Sequence, residues 1–269
     1  MDADFAPTLQ PGRTCLLISV PHAGQAVPEF VSGRMSEVAK TLPDTDWFVD
    51  RLYQWAPEMG AGMITAPASR YVIDLNRPPD DAPLYDQATS SLLTGLVPTH
   101  TFAGERLYRD GFEPDEQEIG QRLQSYWFPY HDCLGAELAR IVDRFGHAVL
   151  LDAHSIRSRQ PLLFDGVLPD FNLGSNNGAS AAASLVDLAW TGLKATGLPT
   201  VLDGRFKGGY ITRHYGNPVG KVHALQLEMA QSAYMEEDPP EWNPARAESM
   251  QAHLRRFVQA LMKWSPGHD

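Results

Sequence analysis

Short apolar runs rich in β-branched residues, at 14–20, 62–66, 71–75, 148–153, 200–202 and 222–229, recur between turn formers. Their length and composition predict buried strands. Between them lie stretches with helical spacing of apolar residues, at 46–56, 115–145, 179–196 and 244–264. Strand alternating with helix leaves few architectures open. It predicts an α/β fold of three layers, a mainly parallel or mixed sheet with helices on both faces. Pro129 falls inside the longest helical stretch and predicts a kink or break there. Two turn-rich stretches, 78–111 and 160–178, exceed simple connectors, and loops of that length in compact domains are often functional. No composition shift or internal repeat divides the 269 residues, which predicts one domain over 1–269.

Charge narrows the function classes. With 22 Lys and Arg against 33 Asp and Glu, the formal net charge is -11, which repels polyphosphates and anionic headgroups. Neither nucleic acid nor a membrane surface is an expected partner. Cys15 and Cys133 form no Cys-x-x-Cys pair and fit a reducing compartment. The first 13 residues carry two acids and two prolines without an apolar core of signal-peptide length, and no segment approaches a membrane span. A cytoplasmic location is expected, and the sequence specifies no oligomeric state. There is no Gly-x-Ser-x-Gly, His-Glu-x-x-His, phosphate loop or calcium loop. Gly60-Ala61-Gly62 precedes a predicted strand, whereas a dinucleotide fingerprint follows one.

In α/β sheets ligands bind beyond the carboxyl ends of the strands. Here the predicted strands end in Ser19-Val20-Pro21-His22-Ala23-Gly24, Asp74-Leu75-Asn76-Arg77, Asp152-Ala153-His154-Ser155 and Gln226-Leu227-Glu228. Two histidines, several acids, an amide and an arginine would converge on one rim. Imidazoles fixed by rigid strand ends suit Zn²⁺, which takes nitrogen and carboxylate ligands and keeps a position open for water in catalytic sites. A third ligand is then required, for which Asp46 is a candidate with Asp44 and Asp50 as rivals, and an N-cap role competes for Asp46. Glu228 is either a buried structural partner or a base beside the metal. Asp152 and Asp74 can orient imidazoles from behind. A chain of charge -11 that binds an anionic substrate needs fixed cations, and Arg70, Arg77 and Arg213 are the candidates, since bidentate arginine suits carboxylates. Arg213 lies in a glycine-bearing loop, 207–216.

These segments, together with Asp44-Thr45-Asp46-Trp47, Ser69-Arg70, Asp170-Phe171-Asn172-Leu173-Gly174 and the 207–216 loop, resemble in order the N-formylglutamate amidohydrolases of histidine degradation. The resemblance runs over nearly the whole chain. It implies hydrolysis of N-formyl-L-glutamate to formate and L-glutamate, with a small-molecule dicarboxylate as the partner, on a fold similar to zinc carboxypeptidases and aspartoacylases. Those wider relatives share an Asp-Leu-Asn-Arg segment that holds a substrate carboxylate, a histidine after a strand-end acid, and a glutamate base. Two positions depart from the pattern. Gln25 stands where the wider group places a glutamate ligand, and Phe48 stands where close relatives carry a histidine.

The resulting expectation is one Zn²⁺ held by His22, Asp46 and His154, with Glu228 as base and Arg70 stabilising the oxyanion. Arg77 and Arg213 grip the substrate carboxylates, Asn76 helps to orient one of them, and His131 is structural. Competing readings keep the zinc site but change the substrate to another anionic N-acyl amino acid or small peptide, or keep the arginines alone as a binder of glutamate-like ligands.

Overall fold

The structure, a computed structural model, describes residues 5–84 and 95–267. Residues 85–94 of the turn-rich 78–111 stretch and residues 1–4 of the amino terminus lie outside the described residues.

A mixed sheet of seven strands forms the centre, in the order β1 (Thr8–Gln10), β3 (Gly62–Thr65), β2 (Leu16–Val20), β4 (Ala148–Ile156), β7 (Val222–Ala230), β5 (Phe171–Gly174) and β6 (Thr200–Leu202). β3, β2, β4 and β7 run parallel, as do β5 and β6, while β1 pairs antiparallel with β3 and β5 with β7. Every residue of β2 and β4 is buried, which requires cover on both faces and explains the unbroken apolar runs Leu16–Ile18 and Ala148–Leu151 within them. The cover comes from α5 (Phe128–Phe145) and α7 (Tyr210–Tyr215) in one group, and from α2 (Val49–Tyr53), α3 (Ala56–Met59) and α6 (Ala183–Lys194) gathered against α8 (Pro244–Lys263) in another. Outside the sheet lie a short helix α1 (Glu29–Ser32), α4 (Glu116–Arg122) and a hairpin of β8 (Met235–Glu237) with β9 (Pro240–Trp242).

The helical expectation for 115–145 is met with a local change of winding. Asp115 caps α4 by accepting the Glu118 N–H at 2.8 Å, and a π-helical turn at Leu123–Trp127 separates α4 from α5. Pro129 sits in the first turn of α5. It has no N–H to give and its ring crowds the carbonyl four residues back, a conflict that the wider turn just before it relieves. The predicted helix over 46–56 is two helices, α2 and α3, with a break at Gln54 and Trp55.

One strand expectation and one loop expectation are corrected. Residues 71–75 form no strand, although all five are buried. Their backbone groups find other partners: Arg122 Nη1 donates to the Val72 carbonyl at 2.9 Å, a ring nitrogen of His131 lies 2.9 Å from the Leu75 carbonyl, and Asp74 N–H donates to Leu96 at 2.7 Å. An apolar β-branched run reports burial, and here helix side chains and a loop carbonyl satisfy the backbone in place of a neighbouring strand. Conversely, β5 lies inside the 160–178 stretch that reads as loop, because a four-residue strand with Asn172 within it and Gly174 at its end carries little strand signal.

Candidate active site

Three elements bring His22, Asp46 and His154 together. β2 runs into the turn that carries His22, and Gly24 is pressed against the end of β3. A Cβ at Gly24 would lie 2.4 Å from the carbonyl oxygens of both Ala66 and Pro67, so only glycine lets this turn close. Asp46 follows in a loop whose backbone N–H donates to the His22 carbonyl at 3.1 Å. His154 comes from β4, where Asp152 and His154 lie within the strand and share a face. All three side chains are buried, and one ligand atom from each lies within 4.8 Å of the others.

Both imidazoles are gripped from behind by a carboxylate. His22 Nε2 is 2.8 Å from Asp74 Oδ1, and His154 Nε2 is 2.9 Å from Asp152 Oδ2. With Nε2–H donating backwards, each ring turns Nδ1 toward Asp46. His154 Nδ1 is 2.9 Å from Asp46 Oδ2, while His22 Nδ1, 3.8 Å from the same oxygen, has no hydrogen-bond partner among the described residues. An orphaned buried ring nitrogen is costly unless a ligand completes it. Two imidazoles oriented by carboxylates plus one further carboxylate make up a donor set that can hold a metal ion.

Charges inside the site act on one another at close range. Burial pushes the His22 imidazole down, helped by Arg70 and opposed by Asp74. Burial also acts against His154, yet Asp152 and Asp46 hold it well above its ordinary value. Against burial, the imidazoles of His154 and His22 hold Asp46 below the usual carboxylate range, and His22 and Arg70 hold Asp74 well below it. Arg70 spans the two acids, with Nη2 2.8 Å from Asp74 Oδ2 and Nη1 3.4 Å from Asp46 Oδ1, and its guanidinium lies 4.8 Å over the Phe102 ring.

The rivals of Asp46 fall elsewhere. Asp44 is buried, but its carboxylate accepts the Tyr71 hydroxyl at 2.6 Å and the Phe102 N–H at 2.8 Å. Asp50 is exposed in the first turn of α2. Asp46 does not act as an N-cap either, since Phe48 occupies that place and Asp46 Oδ2 accepts from Ser155 N–H. Gln25 is exposed, and Phe48 packs edge-on against Trp242 at 5.6 Å.

Glu228 stands directly across from His154 in the β4–β7 register. Burial, with some help from Asp46 and Asp152 and against His154 and Arg70, pushes its carboxyl up to about 8. Asn76 is buried with its amide turned into the protein: Nδ2 donates to Asp152 Oδ2 at 3.1 Å and Oδ1 accepts the Ile211 N–H at 2.8 Å. The Arg77 carbonyl accepts from Trp127 Nε1 at 3.0 Å, and Arg213 lies on α7, where its Nε donates to the Gly208 carbonyl at 2.8 Å. His131 stacks on Trp127 at 3.8 Å, and burial lowers it to about 4. A ring kept neutral and packed in this way braces the Leu75–Arg77 backbone.

The sequence profile of the family described as N-formylglutamate amidohydrolase matches residues 14–235, a span that contains every site residue named above. The chain belongs to the N-formylglutamate amidohydrolase family. It is 50% identical over 255 residues to an N-formylglutamate deformylase of Pseudomonas putida, and 49% identical over 255 residues to one of Pseudomonas aeruginosa, with 94% of each chain covered in both cases. The crystal structure of an N-formylglutamate amidohydrolase from Ralstonia eutropha JMP134 matches with a TM-score of 0.82 at 25% identity, covering 96% of both chains. The chain is therefore an amidohydrolase.

Around the His22–Asp46–His154 group lie residues that no sequence pattern singled out. Ser155, next to His154, is 2.7 Å from the Tyr234 hydroxyl, which donates to the Trp47 carbonyl at 2.6 Å. Gln231 Nε2 donates to the Thr45 carbonyl at 2.9 Å. These contacts tie both flanks of Asp46 to the end of β7. Asp152 is braced in turn by Ser19 Oγ at 2.9 Å, itself 3.0 Å from the Tyr130 hydroxyl. Ser19 stands across from Asp152 in the β2–β4 register. No periodicity marks such residues. Only a pairing of β2 with β4, known in advance, would have pointed to Ser19.

Proposed function

We propose that this amidohydrolase hydrolyses N-formyl-L-glutamate to formate and L-glutamate, as the last step of histidine degradation, with one Zn²⁺ held by His22, Asp46 and His154. The observation that carries the reading is the buried His22–Asp46–His154 group, its Nδ1 atoms turned inward and its Nε2 atoms tied to Asp74 and Asp152, in a chain half identical to named N-formylglutamate deformylases. Bound there, Zn²⁺ would supply Lewis-acid chemistry, which polarises a carbonyl and lowers the pKa of water toward about 7. The likeness to zinc carboxypeptidases and aspartoacylases, implied by the Asp74–Arg77 segment, belongs to the same proposal.

The protein's own groups then divide the work. Water adds to the formyl carbon, the carbon–nitrogen bond breaks, and Glu228 carries the water proton to the departing amine nitrogen. Glu228, buried across from His154 on β7, is placed for both halves of that transfer. Arg70, held by Asp74 and Asp46, presents positive charge beside the reacting carbonyl, a contribution of about 3 kcal/mol for a well-placed donor. Arg77 and Arg213 grip the two glutamate carboxylates.

Formate release by purified protein, measured with N-formyl-L-glutamate, N-acetyl-aspartate and N-formyl-methionine before and after chelation and zinc return, tests the reading. Zinc-restored activity confined to N-formyl-L-glutamate is expected. Equal activity on N-formyl-methionine would remove the second carboxylate from recognition. Arg77→Ala should raise KM for N-formyl-L-glutamate with a smaller effect on kcat, and an unchanged KM would place the carboxylate pocket elsewhere.

A further inference from the structure

The first turn of α7, which precedes Arg213, has no cap of its own. Gly209 stands at the N-cap and offers no side chain. The N–H groups are taken instead by residues of two other segments. Gly209 N–H donates to Gln226 Oε1 at 2.7 Å, Tyr210 N–H to the Asn76 carbonyl at 3.2 Å, and Ile211 N–H to Asn76 Oδ1 at 2.8 Å. Two glycines permit the approach. A Cβ on Gly209 would lie 2.4 Å from Asn76 Nδ2, and one on Gly174 would lie 2.7 Å from Gly208 N.

The opposite ends of the same two amides reach the chemistry. Gln226 Nε2 is 3.5 Å from Glu228 Oε2, while Asn76 Nδ2 donates to Asp152 Oδ2 and lies 3.0 Å from His154 Nε2. The register pairs Asp152 with Gln226 and His154 with Glu228, so all four side chains share one face of adjacent strands. Arg213 is anchored to the capped turn through its N–H to the Gly209 carbonyl at 3.1 Å and its Nε to the Gly208 carbonyl. Both amides are buried, so each hydrogen bond they lose leaves a donor or acceptor without water to replace it.

We propose that Gln226 is a positioning residue for the amidohydrolase reaction: together with Asn76 it caps the first turn of α7 and holds Arg213 in fixed register with Glu228 and the His154–Asp152 pair. This rests on the reading of Arg213 as a ligand of a substrate carboxylate. Gln226 is the better probe of the two, because Asn76 also touches the partner of a metal ligand. It differs from an ordinary structural amide in that its loss acts through Arg213 on substrate affinity.

The test measures kcat and KM for N-formyl-L-glutamate with the zinc-loaded enzyme and with Gln226→Met, Gln226→Glu, Arg213→Ala and the Gln226→Met/Arg213→Ala pair. Gln226→Met keeps the volume but loses both ends of the amide, and KM should rise about tenfold. Gln226→Glu keeps an oxygen for the Gly209 N–H and should return KM toward the wild-type value, with kcat lowered by a second carboxylate beside Glu228. In the pair, Gln226→Met should raise KM no further than Arg213→Ala does alone, because residues that act as a unit are not additive. Full additivity, or a KM in Gln226→Glu as high as in Gln226→Met, overturns the proposal. Should Gln226→Met not fold, Gln226→Glu of the same shape still decides it, since a KM raised to that of Arg213→Ala contradicts a cap formed by Oε1. An unchanged KM in Arg213→Ala overturns the proposal by another route, by taking Arg213 out of the carboxylate pocket. Formate release by the wild type separates any of these results from a wrong substrate.

Discussion

Glu228→Gln is expected to release formate from N-formyl-L-glutamate about a thousandfold more slowly than the wild type, with zinc content and KM retained. The substitution keeps the shape of the side chain and its place across from His154 on β7, but an amide can neither take the proton of the attacking water nor deliver it to the amine. General acid–base groups of this kind contribute about 10²- to 10⁴-fold. Retained turnover would remove Glu228 from the proton transfer, and lost zinc would make it part of the metal site. The same variant reports on the electrostatics in protein stripped of metal. Burial raises the folded-state pKa of Glu228 from an ordinary 4.5 to about 8, so between those values the folded protein binds a proton that the unfolded chain has lost. Stability relative to Glu228→Gln is therefore highest below about 4.5 and declines as pH rises toward about 8. Urea unfolding of the two chelated proteins across that range checks the sign. A gap that widens in favour of the wild type contradicts it.

Asp46→Ala should abolish both zinc retention and turnover, with metal affinity falling by more than the roughly 100-fold that changes behind the ligands produce. Asp44→Ala is the control. Its carboxylate serves Tyr71 and the Phe102 N–H, so its loss should lower Tm while zinc stays bound. Zinc stoichiometry on the two purified variants, read beside thermal unfolding, tells them apart. The reverse pattern would assign the acidic ligand to Asp44.

How far the chain could be read without its structure is clearest at particular residues. The pattern of buried runs placed β2, β3, β4, β6 and β7 to within three residues at either end, because strands in a covered sheet are built from short apolar, β-branched runs, and that leaves a local signature. His22, His154 and Glu228 stood out for the complementary reason: ionisable groups at the ends of apolar strands are expensive to bury and need a purpose. Residues 71–75 failed as a strand and β5 failed as a loop, since burial can be read from composition, whereas the partner of each backbone N–H cannot.

Sequence by itself therefore determined the α/β class, the family and which residue types gather at the strand ends. Tertiary structure alone decided which acid joins the histidines. Asp44, Asp46 and Asp50 are the same residue type within seven positions, and only the path of the chain past His154 turns one of them inward while Tyr71 and Phe102 claim another. It also decided what Asn76 and Gln226 touch. An amide carries both a donor and an acceptor, and which groups it joins depends on elements distant in sequence, here α7 and the strands β4 and β7, whose closeness no local pattern records.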